Sequence, residues 1–258
     1  MGEVDPAFIQ DIDHQHKVVC AIAEAKGIPL IDLSALINSP DDCQAIEGLV
    51  AEVRSASKEW GFFLVINHGV PLEKLRRLEE AARKFFGQPL EEKRKVRRDE
   101  VSTLGYYDTE HTKNVRDWKE VFDFTLHDPT LIPASYTPDD EEVTQWSNKW
   151  PENLPELRLM ELIALSLGLP ADRFHGFFND HQTTFMRLNH YPPCPAPHLA
   201  LGVGHHKDSG ALTVLAQDDV GGLEVRRKSD GEWIRVKPIP NAYIINIGDI
   251  IQPRAFDP

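Results

Sequence analysis

GHHKDSGALTVLAQD, at residues 204–218, lies within a series of short β-like segments. TTFMRLNHY precedes it, and GLEVRRK, EWIRVKP and NAYIINIGD follow it, with turn signals such as Ser229-Asp230-Gly231 between them. Several short strands at this spacing predict a sandwich or jelly roll. Because helical patterns dominate the first half of the chain, we expect an α+β fold with helices first and a β-barrel second.

The N-terminal half alternates between helical and strand-like patterns. Apolar residues at helical spacing indicate amphipathic helices, and β-rich apolar runs closed by glycine indicate buried strands. Pro89 is expected to interrupt the second helical region, because proline disrupts a helix interior. The predicted elements are a short strand at 28–36, a helix at 41–60, a buried strand at 61–69, a helical region at 71–94, strand-like aromatics at 105–127 and a long surface connection at 128–155.

The quoted segment also contains possible metal ligands. Side chains two positions apart on a β-strand point to the same face, so His206 and Asp208 are expected to present an imidazole and a carboxylate to one ion. These are two of the three ligands in a 2-His-1-carboxylate iron site. An isolated H-x-D triplet is common, and a lone histidine is more often structural, so both interpretations stay open on this triplet alone. The H-E-x-x-H motif that would indicate a zinc hydrolase is absent from the sequence.

Composition excludes several classes of function. The net charge of -13 disfavours nucleic acid as a partner, because a phosphate backbone repels an acidic chain. The sequence contains no run of eighteen apolar residues, so no membrane span is predicted. Three scattered cysteines (Cys20, Cys43 and Cys194) predict neither a disulfide framework nor a thiolate metal site. The acidic, polar N-terminus resembles no targeting signal, which predicts a cytoplasmic protein.

Several motifs in one order resemble the plant-type 2-oxoglutarate/Fe(II)-dependent dioxygenases, a family that includes anthocyanidin synthase, flavonol synthase and the gibberellin oxidases. They are R-x-N-x-Y-P-P-C-P at 187–195, H-x-D-x-G-x-L-T-x-L-x-Q at 206–217 and V-K-P-x-P-x-A-x-x-x-N-x-G-D at 236–249. WGFFLVINHGVP at 60–71 and DWKE at 117–120 agree with the family's N-terminal region. The resemblance implies a double-stranded β-helix, a cupin-like jelly roll, behind an N-terminal helical region.

The resemblance also implies a chemistry. Fe(II), 2-oxoglutarate and O2 would be required, with ascorbate as an activator, for hydroxylation or desaturation of a small-molecule metabolite. His206 and Asp208 match iron ligands, and no catalytic residue beyond the metal ligands is implied. Asn189 and Tyr191 match positions that contact 2-oxoglutarate, and Arg187 is expected in the same mouth of the barrel.

Each of these polar residues has a structural alternative. Tyr191 could pack against the prolines that follow it, Asn189 could satisfy a strand end, and Arg187 could pair with a surface acid. The aromatic residues Tyr106, Phe122 and Phe124 could line a substrate pocket, but aromatics in strands are usually core residues, and we expect these in the core. His68 and His190 are expected to form hydrogen bonds rather than to bind metal.

The sequence departs from the family pattern in two places. The second histidine ligand is expected 50 to 60 residues after the H-x-D motif, near or beyond residue 258, and neither it nor the following Arg-x-Ser is present. Relatives also place most of a long helix between 150–158 and 159–169. We therefore expect a C-terminally truncated chain in which the last strands are missing and activity is impaired. One alternative is a catalytically inactive ligand-binding or regulatory isoform, which could bind a small ligand or associate with a full-length homologue. Another is an unstable product with no function.

The expected domain organisation follows the motifs. Residues 1–27 form a leader, residues 28–155 form the N-terminal dioxygenase region, and residues 156–258 form the truncated jelly-roll core. The remaining partner implied is a small-molecule substrate, with no nucleic acid and no membrane.

Overall fold

The computed structural model describes residues 4–11, 28–125, 128–133, 143–152, 185–228 and 230–249. The chain divides into two compact units that interleave along the sequence. The first unit comprises residues 1–17 and 71–204, and the second comprises residues 18–70 and 205–258. The predicted division between residues 155 and 156 stays a prediction, because residues 153–184 lie outside the described part. Among the helices that the structure describes, none has the length and apolarity needed to cross a bilayer.

The first unit contains helices and mainly antiparallel strand pairs. Its central sheet has the order β3-β6-β9, and β4 pairs with β5 and β7 with β8. A 3-10 turn at Pro6–Phe8 precedes them. The elements are α3 (Leu72–Phe86), α4 (Leu90–Arg94), β3 (Gly105–Tyr107), β4 (His111–Thr112), β5 (Val115–Arg116), β6 (Glu120–Thr125), β7 (Thr130–Pro133), β8 (Val143–Trp146) and β9 (Phe185–His190).

The second unit is built on a four-stranded sheet in the order β1-β2-β13-β10. Strand β1 is parallel to β2, whereas β13 is antiparallel to both of its neighbours. Strands β11 and β12 form a separate antiparallel pair. The elements are β1 (Leu30–Asp32), α1 (Ser34–Asn38), α2 (Cys43–Glu59), β2 (Phe62–Ile66), β10 (Leu212–Leu215), β11 (Glu224–Arg226), β12 (Trp233–Arg235) and β13 (Tyr243–Ile247).

Each unit has its own hydrophobic core. In the first unit, α3 contributes Phe85 and Phe86 to a cluster with residues of β3, β6 and β9. Tyr106, Phe122 and Phe124 are fully buried in this cluster, which confirms that they are core residues. In the second unit, Leu64, Val225, Val236, Ala242 and Ile244 form the corresponding cluster.

The main helices agree with their sequence patterns. Helix α2 begins after Asp42, whose side chain accepts a hydrogen bond from the Ala45 amide, as an N-cap residue does. The region predicted at 71–94 is two helices, α3 and α4, and Pro89 precedes the second one. Proline therefore interrupts the region as expected.

Two boundary predictions were wrong. The strand predicted at 28–36 ends at Asp32, because the Asp32 carboxylate accepts hydrogen bonds from the Ser34 amide and hydroxyl and turns the chain into α1. The connection predicted at 128–155 contains β7 and β8, which pair in antiparallel register from Thr130 opposite Trp146. The short helix predicted from residue 155 and the leader between 12 and 27 lie outside the described residues.

Candidate metal centre

His206 and Asp208 lie side by side in the segment that leads into β10. His206 Nε2 is 3.4 Å from Asp208 Oδ1. The backbone between residues 206 and 209 is not part of a strand, so the expected strand geometry was wrong although the two side chains do meet. The imidazole is half exposed, and the Asp208 side chain is mostly buried.

The Asp208 carboxylate is held by two neighbouring side chains. Thr213 Oγ1 donates to Asp208 Oδ2 at 2.7 Å, and Asn246 Nδ2 donates to the same oxygen at 2.6 Å. The contact with His206 lowers the pKa of Asp208 to about 2, against the opposing effect of burial and with the help of the Thr213 and Asn246 hydrogen bonds. Asp208 is therefore an anion at neutral pH, as a metal ligand must be.

The backbone around Asp208 is tied to the end of β13. The Asp249 amide donates to the Asp208 carbonyl at 2.9 Å, and the Gly248 amide donates to the Ala211 carbonyl at 3.0 Å. A Cβ on Gly248 would lie only 1.9 Å from the Gly210 carbonyl oxygen, so only glycine allows the two backbones to approach this closely. The N-x-G-D motif thus supports the loop that carries Asp208.

These supporting roles were not predicted from the sequence. Thr213 and Asn246 both stand in motifs that carry the family resemblance, but 38 residues separate Asn246 from Asp208. Local patterns report neighbours along a strand or helix and not contacts across a sheet. The polar Asn246 within the apolar run NAYIINIGD was the available signal, because a buried amide needs a hydrogen-bond partner.

The His206 nitrogen and the Asp208 oxygen are close enough to bind one divalent ion. An ion that binds nitrogen and oxygen ligands at about 2.1 Å allows those ligands to be up to about 4.2 Å apart. The 3.4 Å separation lies within this limit. Among the described residues, no group of three histidine, cysteine or acidic side chains that could hold a metal is present. His206 and Asp208 therefore fit two positions of a three-ligand site.

Arg187, a predicted cosubstrate contact, is engaged by carboxylates of the first unit. It lies on β9 directly opposite Asp123 on β6. Its Nε and Nη2 each donate to one Asp123 oxygen at 2.7 Å, and Nη1 donates to Glu110 at 3.1 Å. Burial alone would lower the pKa of Arg187, but the two carboxylates reverse this effect and raise it. Arg187 thus pairs with acids, as in the structural alternative, but these acids are 16% and 7% exposed rather than at the surface. The predicted contact of Arg187 with the cosubstrate stays a prediction.

Asn189 and Tyr191 also belong to the first unit, and their predicted contact with 2-oxoglutarate stays a prediction. Asn189 is exposed on β9, opposite Val121. The Tyr191 ring packs against Gly202, where an added Cβ would lie 2.7 Å from the ring. His206 and Asp208 belong to the second unit.

His68 and His190, for which hydrogen bonds were expected, make structural contacts. His68 Nε2 lies 3.0 Å from the Asn241 carbonyl oxygen, and His68 Nδ1 accepts a hydrogen bond from the Val70 amide. The His190 ring stacks on Phe86 at 5.1 Å between centroids. The expected hydrogen bonding is confirmed for His68. His190 stacks on an aromatic ring, and its Nδ1 also lies 3.6 Å from Glu120 Oε2.

Comparison with known proteins identifies the family. A model of the non-haem dioxygenase in morphine synthesis N-terminal family matches residues 28–153, and a model of the 2OG-Fe(II) oxygenase superfamily matches residues 182–253. Gibberellin 20 oxidase 2 of Oryza sativa subsp. indica is 39% identical over 240 residues, which cover 89% of this chain and 60% of that protein. The chain belongs to the plant-type 2-oxoglutarate- and Fe(II)-dependent dioxygenases.

A further relative and a solved structure support the same family. Flavonol synthase/flavanone 3-hydroxylase of Eustoma exaltatum subsp. russellianum is 38% identical over 233 residues, which cover 87% of this chain and 66% of that protein. The crystal structure of JOX2 in complex with 2OG, Fe and JA has a TM-score of 0.69 and 29% identity, covering 98% of this chain and 71% of that one. The chain thus spans about three-fifths to two-thirds of the length of the curated relatives that it matches.

Several expectations are confirmed by these comparisons. The fold is the α+β, jelly-roll fold of the 2-oxoglutarate/Fe(II) oxygenases, and the chain combines helices with mainly antiparallel sheets. The cofactors of the family are Fe(II) and 2-oxoglutarate, with O2 as the oxidant and ascorbate as a typical activator.

Proposed function

We propose that this protein is an oxygenase that hydroxylates or desaturates a small-molecule metabolite in the cytoplasm. The observation that carries the proposal is the contact between His206 and Asp208, a nitrogen and an anionic oxygen 3.4 Å apart in a chain of this family. The names of the relatives support a small organic substrate, since they include a gibberellin oxidase and a flavonol synthase.

In this mechanism the chain contributes position and charge. The His206 imidazole and Asp208 carboxylate would hold Fe(II), which together with 2-oxoglutarate and O2 supplies the oxidising chemistry. Thr213 and Asn246 keep the carboxylate ionised and oriented through their hydrogen bonds. The roles of Arg187, Asn189 and Tyr191 toward the 2-oxo acid rest on the family resemblance alone.

The 258-residue chain by itself is expected to turn over slowly or not at all. Among the residues that the structure describes, no third histidine, cysteine or acidic side chain joins His206 and Asp208 in a group that could hold a metal. Metal affinity rises with the number of deprotonated ligands, so two ligands alone hold Fe(II) only weakly. We therefore expect little succinate release from the purified chain with Fe(II), 2-oxoglutarate and ascorbate.

Chemical rescue tests the proposal. Free imidazole can supply a nitrogen ligand to a metal that His206 and Asp208 already hold, so adding imidazole is expected to raise succinate release. His206→Ala and Asp208→Ala should show neither the basal nor the rescued release. Equal succinate release by the wild type and both variants, with and without imidazole, would contradict the proposal.

A second candidate function is binding or regulation without catalysis, through association with a longer homologue. The observation that favours it is β10, which pairs only with β13 among the described residues and is an edge of its sheet. Leu212 and Val214 on this strand are 43% and 48% exposed. An apolar edge strand can pair with another chain by strand addition.

Co-purification with a longer homologue tests this candidate. Val214→Lys places a charge on the edge strand and is expected to abolish the association. Val143→Lys on β8 is the matched control, because Val143 is also 48% exposed and lies in the other unit. Retained association in Val214→Lys, or equal loss in both variants, would count against pairing through β10.

A further inference from the structure

Thr213 and Asn246 face each other across the sheet at the candidate metal centre. They are direct partners in the antiparallel pairing of β10 with β13. Their side chains converge on one atom, Asp208 Oδ2, at 2.7 and 2.6 Å. We propose that Thr213 and Asn246 are positioning residues that reserve Asp208 Oδ1 for the metal by occupying Oδ2, an inference that rests on the proposed function.

The two oxygens of the carboxylate are not equivalent. A carboxylate oxygen offers about two lone-pair sites, and the hydroxyl and amide donors use both sites of Oδ2. Oδ1 is the oxygen that lies beside His206 Nε2. A cation that replaces this contact would therefore bind Asp208 through one oxygen rather than through both.

The sheet makes this arrangement rigid. Thr213 is β-branched and has few side-chain rotamers, and Asn246 is the penultimate residue of β13. Hydrogen bonds from groups on regular elements orient a metal ligand before the metal arrives, which reduces the cost of ordering it on binding. The segment around Asp208 has no strand pairing of its own, so its carboxylate depends on these external donors.

The backbone contacts of the same loop have a separate effect. The Asp249 amide and the close approach of Gly248 to Gly210 hold the main chain near Asp208. They place the Cα of Asp208 but do not choose which carboxylate oxygen faces His206. The Thr213 and Asn246 side chains determine which oxygen faces His206, and side-chain substitutions can test this role without changing the main chain.

The test measures Mn(II) binding to the 258-residue chain by the loss of the electron paramagnetic resonance signal of free Mn(II). Thr213→Val removes the hydroxyl at nearly constant shape, and Asn246→Leu removes the amide. Each is expected to weaken Mn(II) binding about tenfold or more, the usual effect of removing such a partner. Thr213→Ser keeps the hydroxyl and should bind within about threefold of wild type, well inside that effect.

Two controls separate positioning from general damage. Thr144→Val makes the same substitution on β8, where Thr144 is exposed, and should leave Mn(II) binding unchanged. His206→Ala should abolish specific binding and so reports on the proposed function itself. Circular dichroism and thermal melting identify which variants keep the native fold, and either Thr213→Val or Asn246→Leu decides the result if the other fails to fold.

The outcomes are distinguishable. Natively folded Thr213→Val and Asn246→Leu proteins that bind Mn(II) like wild type, while His206→Ala does not, would overturn the positioning role and leave the proposed function standing. Wild type that binds no better than His206→Ala would overturn both. Loss of binding in the two variants with recovery in Thr213→Ser supports the inference, because a merely structural role would not restore affinity with the hydroxyl.

Discussion

At the scale of single residues, the first unit encloses an ion pair between Lys93 and Glu120. The two groups are 2.7 Å apart, and their side chains are only 7% and 21% exposed. Lys93 also donates to the Phe86 carbonyl. Burial raises the pKa of Glu120, but the neighbouring His190 and Lys93 outweigh burial and lower it below the ordinary 4.5. Removing one partner therefore leaves a buried charge without its counterion.

Glu120→Gln is expected to reduce the free energy of unfolding by about 3–5 kcal/mol at neutral pH, because the Lys93 ammonium stays buried. A lowered pKa means that the stabilisation is present above 4.5 and is lost as pH falls through the pKa of the folded state. The difference between wild type and variant in urea unfolding should therefore shrink in acid.

The matched control is Glu92→Gln, which breaks the ion pair of Glu92 with Lys95. These side chains are 34% and 67% exposed. An exposed pair contributes less than about 1 kcal/mol, so this variant should unfold almost like wild type. Equal losses in both variants would show that burial of Lys93 is not the reason for the effect.

Gly248→Ala tests the close approach beside Asp208. Its Cβ would lie 1.9 Å from the Gly210 carbonyl oxygen, so the backbone must move, and we expect a loss of about 1–3 kcal/mol or more in urea unfolding. Gly48→Ala in α2 is the control, because nothing lies within 4 Å of its Cβ. Replacing a helical glycine should stabilise the protein by about 0.5–1 kcal/mol. Changes of the same sign in both would contradict this packing.

At the scale of elements, the packing of α3 in the first unit depends mainly on one aromatic residue, Phe85. Phe85 is fully buried, and its ring centroid lies 4.8 Å from that of Phe122 on β6 and 6.0 Å from that of Tyr106 on β3. Phe85→Ala should cost about 3–5 kcal/mol and increase amide hydrogen exchange along α3.

The control for α3 is Leu72→Ala at the start of the same helix. Leu72 is 38% exposed, so its truncation should cost only about 0.5 kcal/mol. Similar exchange rates in α3 for both variants would mean that the helix is held by something other than its buried aromatic face.

The predictability of the elements follows the same physics. The patterns of α2, β2 and α3 were sufficient, because each buries one regular face and a regular face repeats in the sequence. The end of β1 was not predictable, since it depends on the Asp32 side chain capturing the Ser34 amide. Strands β7 and β8 carry proline and acidic surroundings that resemble a loop, and only their mutual pairing makes them strands.

At the scale of the whole molecule, metal binding should appear as global stability. A cation that binds only the native state raises the free energy of unfolding, by about 2.7 kcal/mol when its concentration is a hundred times Kd. Mn(II) is expected to raise the melting temperature of wild type and of the His205→Ala variant. In the wild type, the His205 ring lies instead against Trp233. His206→Ala should not respond, and an equal response would place the bound metal elsewhere.

The sequence by itself determined the family, the elements α2, β2 and α3, and the pair of candidate ligands, because motifs and short spacings are local properties of the chain. Only the tertiary structure decided which oxygen of Asp208 is occupied and that Arg187 lies against Asp123 and Glu110. Apart from the bond between Thr213 and Asp208, which are five positions apart, these contacts join residues 38 to 77 positions apart. The reason is that hydrogen bonds and ion pairs depend on distance in space, which strand pairing sets and local sequence does not record.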